Sequence, residues 1–349
     1  MSKHNTFIGI DMGDRHHHFC ILDTSGEEVG SGRCASTRAG LRKTFGDVSS
    51  ALIAIEAGTH SAWTQRELEA MGHTVLVGNP RKLRMIYQDD RKSDRRDAAM
   101  LARIARMDPS LLHPVHHRGA RAQADLAILR ARDTAVRMRA QLIHTVRGLV
   151  KNTGCRLPAS STAYFHTKVK HDIPRELRPA ITPLLETIEK LTKAVKDYDK
   201  KIATRCAKRY PETELLKSVP GVGPVTALAY ALTLEDPARF AKSRDAGAYL
   251  GLVPRRDQSG CCDKQLPISK AGDRYLRRLL VGSAQYLLGP FGPDCKLRRH
   301  GLTLAQRGGG SGKKRAVVAL ARKLAVLLHR LWADGALFDP EYDPKAATA

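Results

Sequence analysis

Thr6-Phe7-Ile8-Gly9-Ile10-Asp11 is a short run of strand formers that ends on a carboxylate. Phe7, Ile8 and Ile10 leave no polar face, so the run reads as a central strand buried on both sides, with Asp11 where the strand meets solvent. A strand-ending Asp is by itself an ordinary turn residue. A second run, Ala51-Leu52-Ile53-Ala54-Ile55-Glu56, has the same design: wholly apolar, then one acid. Two buried strands that each deliver a carboxylate form a pattern, because a rigid strand holds an acid where a cation can be met without backbone drift.

Around these runs the elements alternate. Residues 18–22 read as a second strand, Asp23-Thr24-Ser25-Gly26 as a hairpin turn and 29–34 as a third strand. Thr37 caps a helix carrying Leu41 and Phe45, residues 61–71 form a helix, 74–77 a strand and 80–87 a short helix. Ser93-Asp94-Arg95-Arg96-Asp97-Ala98 then opens another helix, with Asp94 and Asp97 three apart and therefore on one face. Their ordinary role is capping and dipole compensation, which leaves Asp11 and Glu56 unexplained. Together Asp11, Glu56, Asp94 and Asp97 offer hard oxygen ligands for one or two Mg²⁺ ions, Mn²⁺ being the substitute, as phosphoryl transfer requires. The order of elements predicts one mixed sheet with helices on its faces, and it is similar to that of ribonuclease-H-like (RuvC-type) nuclease and transposase domains. The triplet His16-His17-His18 does not read as a metal site, since strand neighbours point to opposite faces.

Fifty-nine Lys and Arg against 35 Asp and Glu leave a formal net charge of +24 over 349 residues. Self-repulsion of that size is relieved by a polyanion, so nucleic acid is the expected partner. The basic residues spread from Arg81 to Lys323 rather than along one amphipathic helix, which argues against a membrane surface. Seven scattered cysteines show no C-x-x-C pair, and no apolar run approaches a membrane span. The expected location is the cytoplasm.

From Ala122 the pattern becomes heptad-like: Ala122, Leu126, Leu129, Val136, Ala140, Ile143 and Val150, answered by Leu184, Ile188, Leu191, Val195, Tyr198 and Ile202. Two such helices joined by the basic, proline-containing stretch 152–183 form an antiparallel arm or an oligomerising coiled coil. Arg130, Arg132, Arg137 and Arg139, with Lys193, Lys196, Lys200 and Lys201, are positioned to follow a phosphate backbone or simply to solvate the arm. Val219-Pro220-Gly221-Val222-Gly223-Pro224 resembles a helix-hairpin-helix: Gly221 and Gly223 allow a tight turn that brings bare N–H groups to a helix start, an anion site. A plain helix–helix turn is the alternative. Arg307-Gly308-Gly309-Gly310-Ser311-Gly312-Lys313-Lys314 lacks Walker spacing and reads as a basic loop before a closing helix over 316–332.

Gly251-Leu252-Val253-Pro254-Arg255, then Ser259-Gly260, then Ile268-Ser269-Lys270-Ala271-Gly272 follow in order. With Gly9-Ile10-Asp11, Glu56-Ala57-Gly58 and Lys92-Ser93-Asp94, they make nearly the whole chain resemble the DEDD insertion-sequence transposases, the family of bridge-RNA-guided recombinases. The resemblance implies that Asp11, Glu56, Asp94 and Asp97 are metal-binding acids and Ser259 a nucleophile that holds DNA as a phosphoserine. Arg255, Arg256 and Lys270 would contact nucleic acid beside them. It implies donor and target DNA, a guide RNA and a homodimer or homotetramer as partners. The expected architecture is α/β plus all-α: a ribonuclease-H-like domain over 1–118, a helical arm over 119–210, and a helical transposase domain with the hairpin and Ser259 over 211–349. Two rival readings are a hydrolytic, structure-selective nuclease of Holliday-junction type and a non-catalytic nucleic-acid-binding relative.

Overall fold

The structure, a computed structural model, describes residues 4–83, 93–259, 262–307 and 309–341. The chain forms two compact units, Met1–Arg118 and Gly119–Ala349.

The first unit is built on a five-stranded mixed sheet: β1 (Phe7–Met12), β2 (His16–Leu22), β3 (Glu28–Ala35), β4 (Leu52–Glu56) and β5 (Thr74–Gly78). The order is β3-β2-β1-β4-β5, with β1 antiparallel to β2 and parallel to β4. The β2–β3 turn closes because Asp23 Oδ1 accepts from the Gly26 and Glu27 amides at 2.8 and 3.0 Å, while Gly26 takes a φ of +94°. Helices α1 (Arg38–Phe45) and α2 (Ser61–Ala70) make the crossovers to β4 and β5. Thr37 starts α1 by accepting from the Gly40 amide at 3.0 Å. Alternation along β1 and β4 splits the core. Ile8, Ile10, Ile53 and Ile55 pack with Leu41, Phe45 and Leu68 on one face, and Phe7, Leu52 and Ala54 pack under helix α3 (Asp94–Met107) on the other. Each such side chain contributes roughly 1.5–3 kcal/mol by leaving water. This mixed sheet is compatible with a ribonuclease-H-like DEDD domain. Of the short helix expected over 80–87, residues 80–83 run as a turn, and the rest lies outside the described residues.

The second unit opens with two long helices, α4 (Ala120–Lys151) and α5 (Arg178–Arg209). They run antiparallel, as the pairs Arg132–Asp199 at 2.5 Å and Asp125–Arg205 at 2.6 Å require. The proline stretch was expected to reach residue 183, yet α5 begins at Arg178 and carries Pro183 inside it. The packing of Ile181 and Leu185 against Ile143, Val146 and Phe165 offsets the hydrogen bond that Pro183 cannot donate. Then come α6 (Thr213–Lys217), α7 (Pro224–Leu234), α8 (Ser243–Tyr249), α9 (Arg274–Leu288), α10 (Lys296–Gln306) and α11 (Gly312–Asp334). Helix α7 is apolar all round and sits at the centre, every residue from Thr226 to Leu234 being buried. Leu320, Leu324 and Leu328 of α11 close the same core.

Two expectations need correction here. Lys313 and Lys314 are helical rather than part of a loop, because Gly312 packs against the Ala305 carbonyl and α11 starts at that point. The C-terminal region is not wholly helical. A two-stranded ribbon, β6 (Pro254–Ser259) and β7 (Cys262–Ile268), interrupts it. No apolar alternation marks those strands, which is why hydrophobic periodicity passed over them. Among the described residues no helix is long and apolar enough to cross a membrane.

Candidate active site and nucleic-acid interface

In the first unit the sheet register carries the acids. Ile10 pairs with Ile55 in the parallel β1–β4 ladder, so Asp11 and Glu56 follow side by side one step on, facing the same way. Across the antiparallel ladder Asp11 faces His18. Gly9 shares the Asp11 face by the two-residue period, and it is where α3 lies down. A Cβ at Gly9 would stand 2.0 Å from the Ala98 carbonyl oxygen and 2.4 Å from the Ala102 nitrogen. Ser93 caps α3 by accepting from the Arg96 amide, leaving Asp94 and Asp97 in its first turn. That turn lies at the Asp11 end of the sheet, since Asp94 Oδ2 is 3.4 Å from His18 Nδ1. Asp97 is buried and Asp94 exposed.

The donor chemistry suits a hard divalent cation. The side chains as oriented do not enclose one: among the described residues no group of three or more His, Cys, Asp or Glu stands in metal-binding array. Asp94 is turned onto His18 instead. His18 belongs to the triplet that the sequence sets aside as a metal site; only the strand register places it opposite Asp11 and beside Asp94. His17 points to the other face, fully buried near His60 and Trp63, with neither ring nitrogen in hydrogen-bonding geometry with a partner. Burial, and then the neighbouring His60, lower its pKa to about 4.

In the second unit Ser259 ends β6, an exposed strand, with Arg255, Arg256, Asp257 and Gln258 before it. Gly260 and Cys261 lie outside the described residues. Arg256 is engaged within the ribbon, its Nε donating to Asp263 Oδ1 at 2.7 Å and a second nitrogen to Oδ2. Arg255 is exposed. Lys270 sits at φ +54°, its amide donating to the Gly251 carbonyl at 3.1 Å. Gly251 permits that docking, since a Cβ there would lie 2.1 Å from the Ala271 oxygen. Gly221 turns the chain between α6 and α7 at φ +82°, and Gly223 starts α7 with no side chain capping it. The Gly221 turn packs on the last turns of α9, against Ser283 and Tyr286, whereas Lys270 precedes its first turn. These two groups of candidate contacts are therefore roughly 20 Å apart along one helix.

Several arm cations are spent inside the protein. Arg132 pairs with Asp199, Arg137 with Asp133, and Arg139 donates to Thr192 and Thr162. Asp125, whose side chain is 3% exposed, was not singled out in the sequence; it accepts from Arg205, Arg209 and the Tyr210 hydroxyl.

Two family models match the chain in order: a DEDD transposase model of IS110 type over residues 8–154, and the transposase IS116/IS110/IS902 family over residues 213–296. Both matched segments are those of IS110-type insertion-sequence transposases. The chain is similar to the transposase for insertion sequence element IS1111A of Coxiella burnetii, 29% identical over 335 residues, which covers 93% of this chain and 88% of that one. The transposase for insertion sequence element IS1328 of Yersinia enterocolitica is 28% identical over 283 residues, covering 80% and 83%. Members of this family are enzymes, since transposases act on DNA by phosphoryl transfer. The first matched segment takes in Asp11, Glu56, Asp94 and Asp97, and the second takes in Gly221, Gly223, Ser259 and Lys270.

Proposed function

We propose that this chain is an IS110-family transposase that cleaves and rejoins DNA strands through a phosphoserine at Ser259, with a divalent cation held by Asp11, Glu56, Asp94 and Asp97. The observation that carries the reading is the register of β1 and β4, which sets two strand-ending acids side by side under the acidic first turn of α3. Bound there, Mg²⁺ or Mn²⁺ would supply Lewis-acid stabilisation of phosphoryl oxygens. This chain's own residues hold the pieces in waiting: His18 keeps Asp94 at the mouth of the site, and Gly9 keeps α3 against the sheet. Ser259, exposed at a strand end, attacks a DNA phosphorus; its oxygen loses its proton and bonds to phosphorus, the deoxyribose oxygen leaves and takes up a proton in exchange, and one phosphodiester bond replaces another, conserved for rejoining. Arg255 accompanies Ser259 along the ribbon and meets the phosphate, and Arg256 joins it by exchanging Asp263 for that anion. The Gly221–Gly223 hairpin and Lys270 hold the backbone of donor and target DNA. A guide RNA, a dimeric or tetrameric assembly and a cytoplasmic location complete the proposal, supported by the family and by the charge of +24.

The deciding experiment incubates the protein with donor DNA, target DNA and RNA transcribed from the element's flank, then traps covalent protein–DNA adducts and maps them by mass spectrometry. The expected adduct is on Ser259 and disappears in S259A. Strand cleavage that survives S259A would instead identify a hydrolytic nuclease using the same acids and water.

A further inference from the structure

Helix α9 ends in Gly289-Pro290-Phe291-Gly292-Pro293, and this end is built with unusual care. The Gly292 amide donates to the Gly289 carbonyl at 3.3 Å, closing a four-residue turn with Pro290 and Phe291 at its tip. One Arg298 nitrogen donates to the carbonyls of both Leu287 and Gly289, at 2.6 and 2.7 Å. Gly292 fills the remaining space, since a Cβ there would lie 2.1 Å from the Leu287 oxygen and 2.3 Å from that same arginine nitrogen. The turn is thus clamped from below. At its tip Phe291 is 81% exposed, more than any other large apolar side chain among the described residues.

A lone exposed apolar side chain on a mobile loop needs no explanation. A phenylalanine held in water by two prolines and a half-buried, carbonyl-bonded guanidinium is different, because the turn that carries it is fixed pointing away from its own core. Its neighbours say what it meets. Tyr286, one turn earlier and 47% exposed, packs its ring edge on Gly221, so the glycine hairpin, the tyrosine and the phenylalanine tip share one end of α9.

We propose that Phe291, backed by Tyr286, is an aromatic wedge that enters the base stack of DNA bound across the Gly221 hairpin. Apolar side chains that enter a duplex unstack a base step and kink the helix, and aromatic stacking is tolerant of sequence. The chain's net charge of +24 makes a polyanion the occupant to expect. The inference rests on the hairpin being a phosphate contact and adds to it the recognition of a deformed base step.

The test uses the full chain and a labelled mixed-sequence duplex in which several adenines are replaced by 2-aminopurine, whose fluorescence rises on unstacking. Saturating wild-type protein should raise that fluorescence; F291A should lose the rise and bind roughly fivefold more weakly or worse, and F291L should keep part of both. Unchanged thermal melting of F291A confirms its fold. Equal unstacking and affinity in F291A would overturn the wedge while leaving the hairpin reading intact. Wild-type protein that binds no duplex would overturn both. A variant that unstacks DNA normally but sediments as a smaller species would make Phe291 a contact between copies, and the wedge would fall.

Discussion

The Ala98 carbonyl oxygen lies so close over Gly9 that a Cβ at that position would stand 2.0 Å away from it. This contact decides where the acidic turn of α3 comes to rest, because both partners are backbone or nearly so and neither can yield. G9A should therefore destabilise the first unit by about 3 kcal/mol or more, through overpacking. Chemical denaturation checks this; a loss below about 1 kcal/mol would mean that α3 is free to shift.

D11N, E56Q and D94N should each lower strand cleavage roughly a thousandfold, the scale of several kcal/mol of lost charge stabilisation. Isothermal titration of the isolated protein with Mg²⁺ or Mn²⁺ gives a readout that does not depend on turnover, and each variant should weaken cation binding. H18A, acting only through the placement of Asp94, should cost roughly tenfold. Wild-type cation affinity in all three acid variants would remove these residues from the site.

His17 sets an acid limit on stability. Its folded pKa of about 4 lies below the 6.5 of an unhindered histidine, so between those values the unfolded chain takes up a proton that the folded one refuses. Its neutral form is fully compatible with folding above pH 6.5, and stability falls as pH drops from 6.5 toward 4, by roughly 3 kcal/mol at most. In H17F that portion of the pH dependence should vanish from denaturation curves measured at pH 7 and pH 4.5. An identical slope in wild type and variant would point to other groups.

Asp125 also loses stability as pH falls, but for a different reason. Burial pushes its carboxyl up, but hydrogen bonds from Arg205, Tyr210 and Arg209 outweigh that and hold it below the ordinary carboxylate range. The stability it contributes is present above the unfolded carboxylate pKa and is lost as pH falls through the lower, folded value. At pH 7, D125N should cost about 3 kcal/mol, because two arginines lose the buried charge they face. A melting temperature that does not move would show that the cluster relaxes into water.

Much of this protein was legible in its sequence. The runs ending in Asp11 and Glu56 are apolar on both faces, and only a central strand satisfies that. The caps at Thr37 and Ser93, the turn at Gly26 and the long helices of the second unit follow from local chemistry. The exposed ribbon of Ser259 was not legible, since Arg255 to Ser259 are all exposed and so leave no periodic trace. The start of α5 ahead of Pro183 was missed because a tertiary contact outweighed a local rule.

The sequence by itself determined which residues are chemically capable: four acids at strand ends and a helix start, two hairpin glycines, a serine among arginines, and an excess of positive charge. Those properties reside in covalent structure and short-range propensity, which travel with the chain. Only the tertiary structure decided which of them are spoken for. It set Asp11 beside Glu56 through a ladder between strands some forty residues apart, turned Asp94 onto His18, tied Arg256 to Asp263 and Arg132 to Asp199, and left Phe291 in water. Partnership depends on distances between segments remote in sequence, and those distances exist only once the cores on either side of the sheet and around α7 have packed.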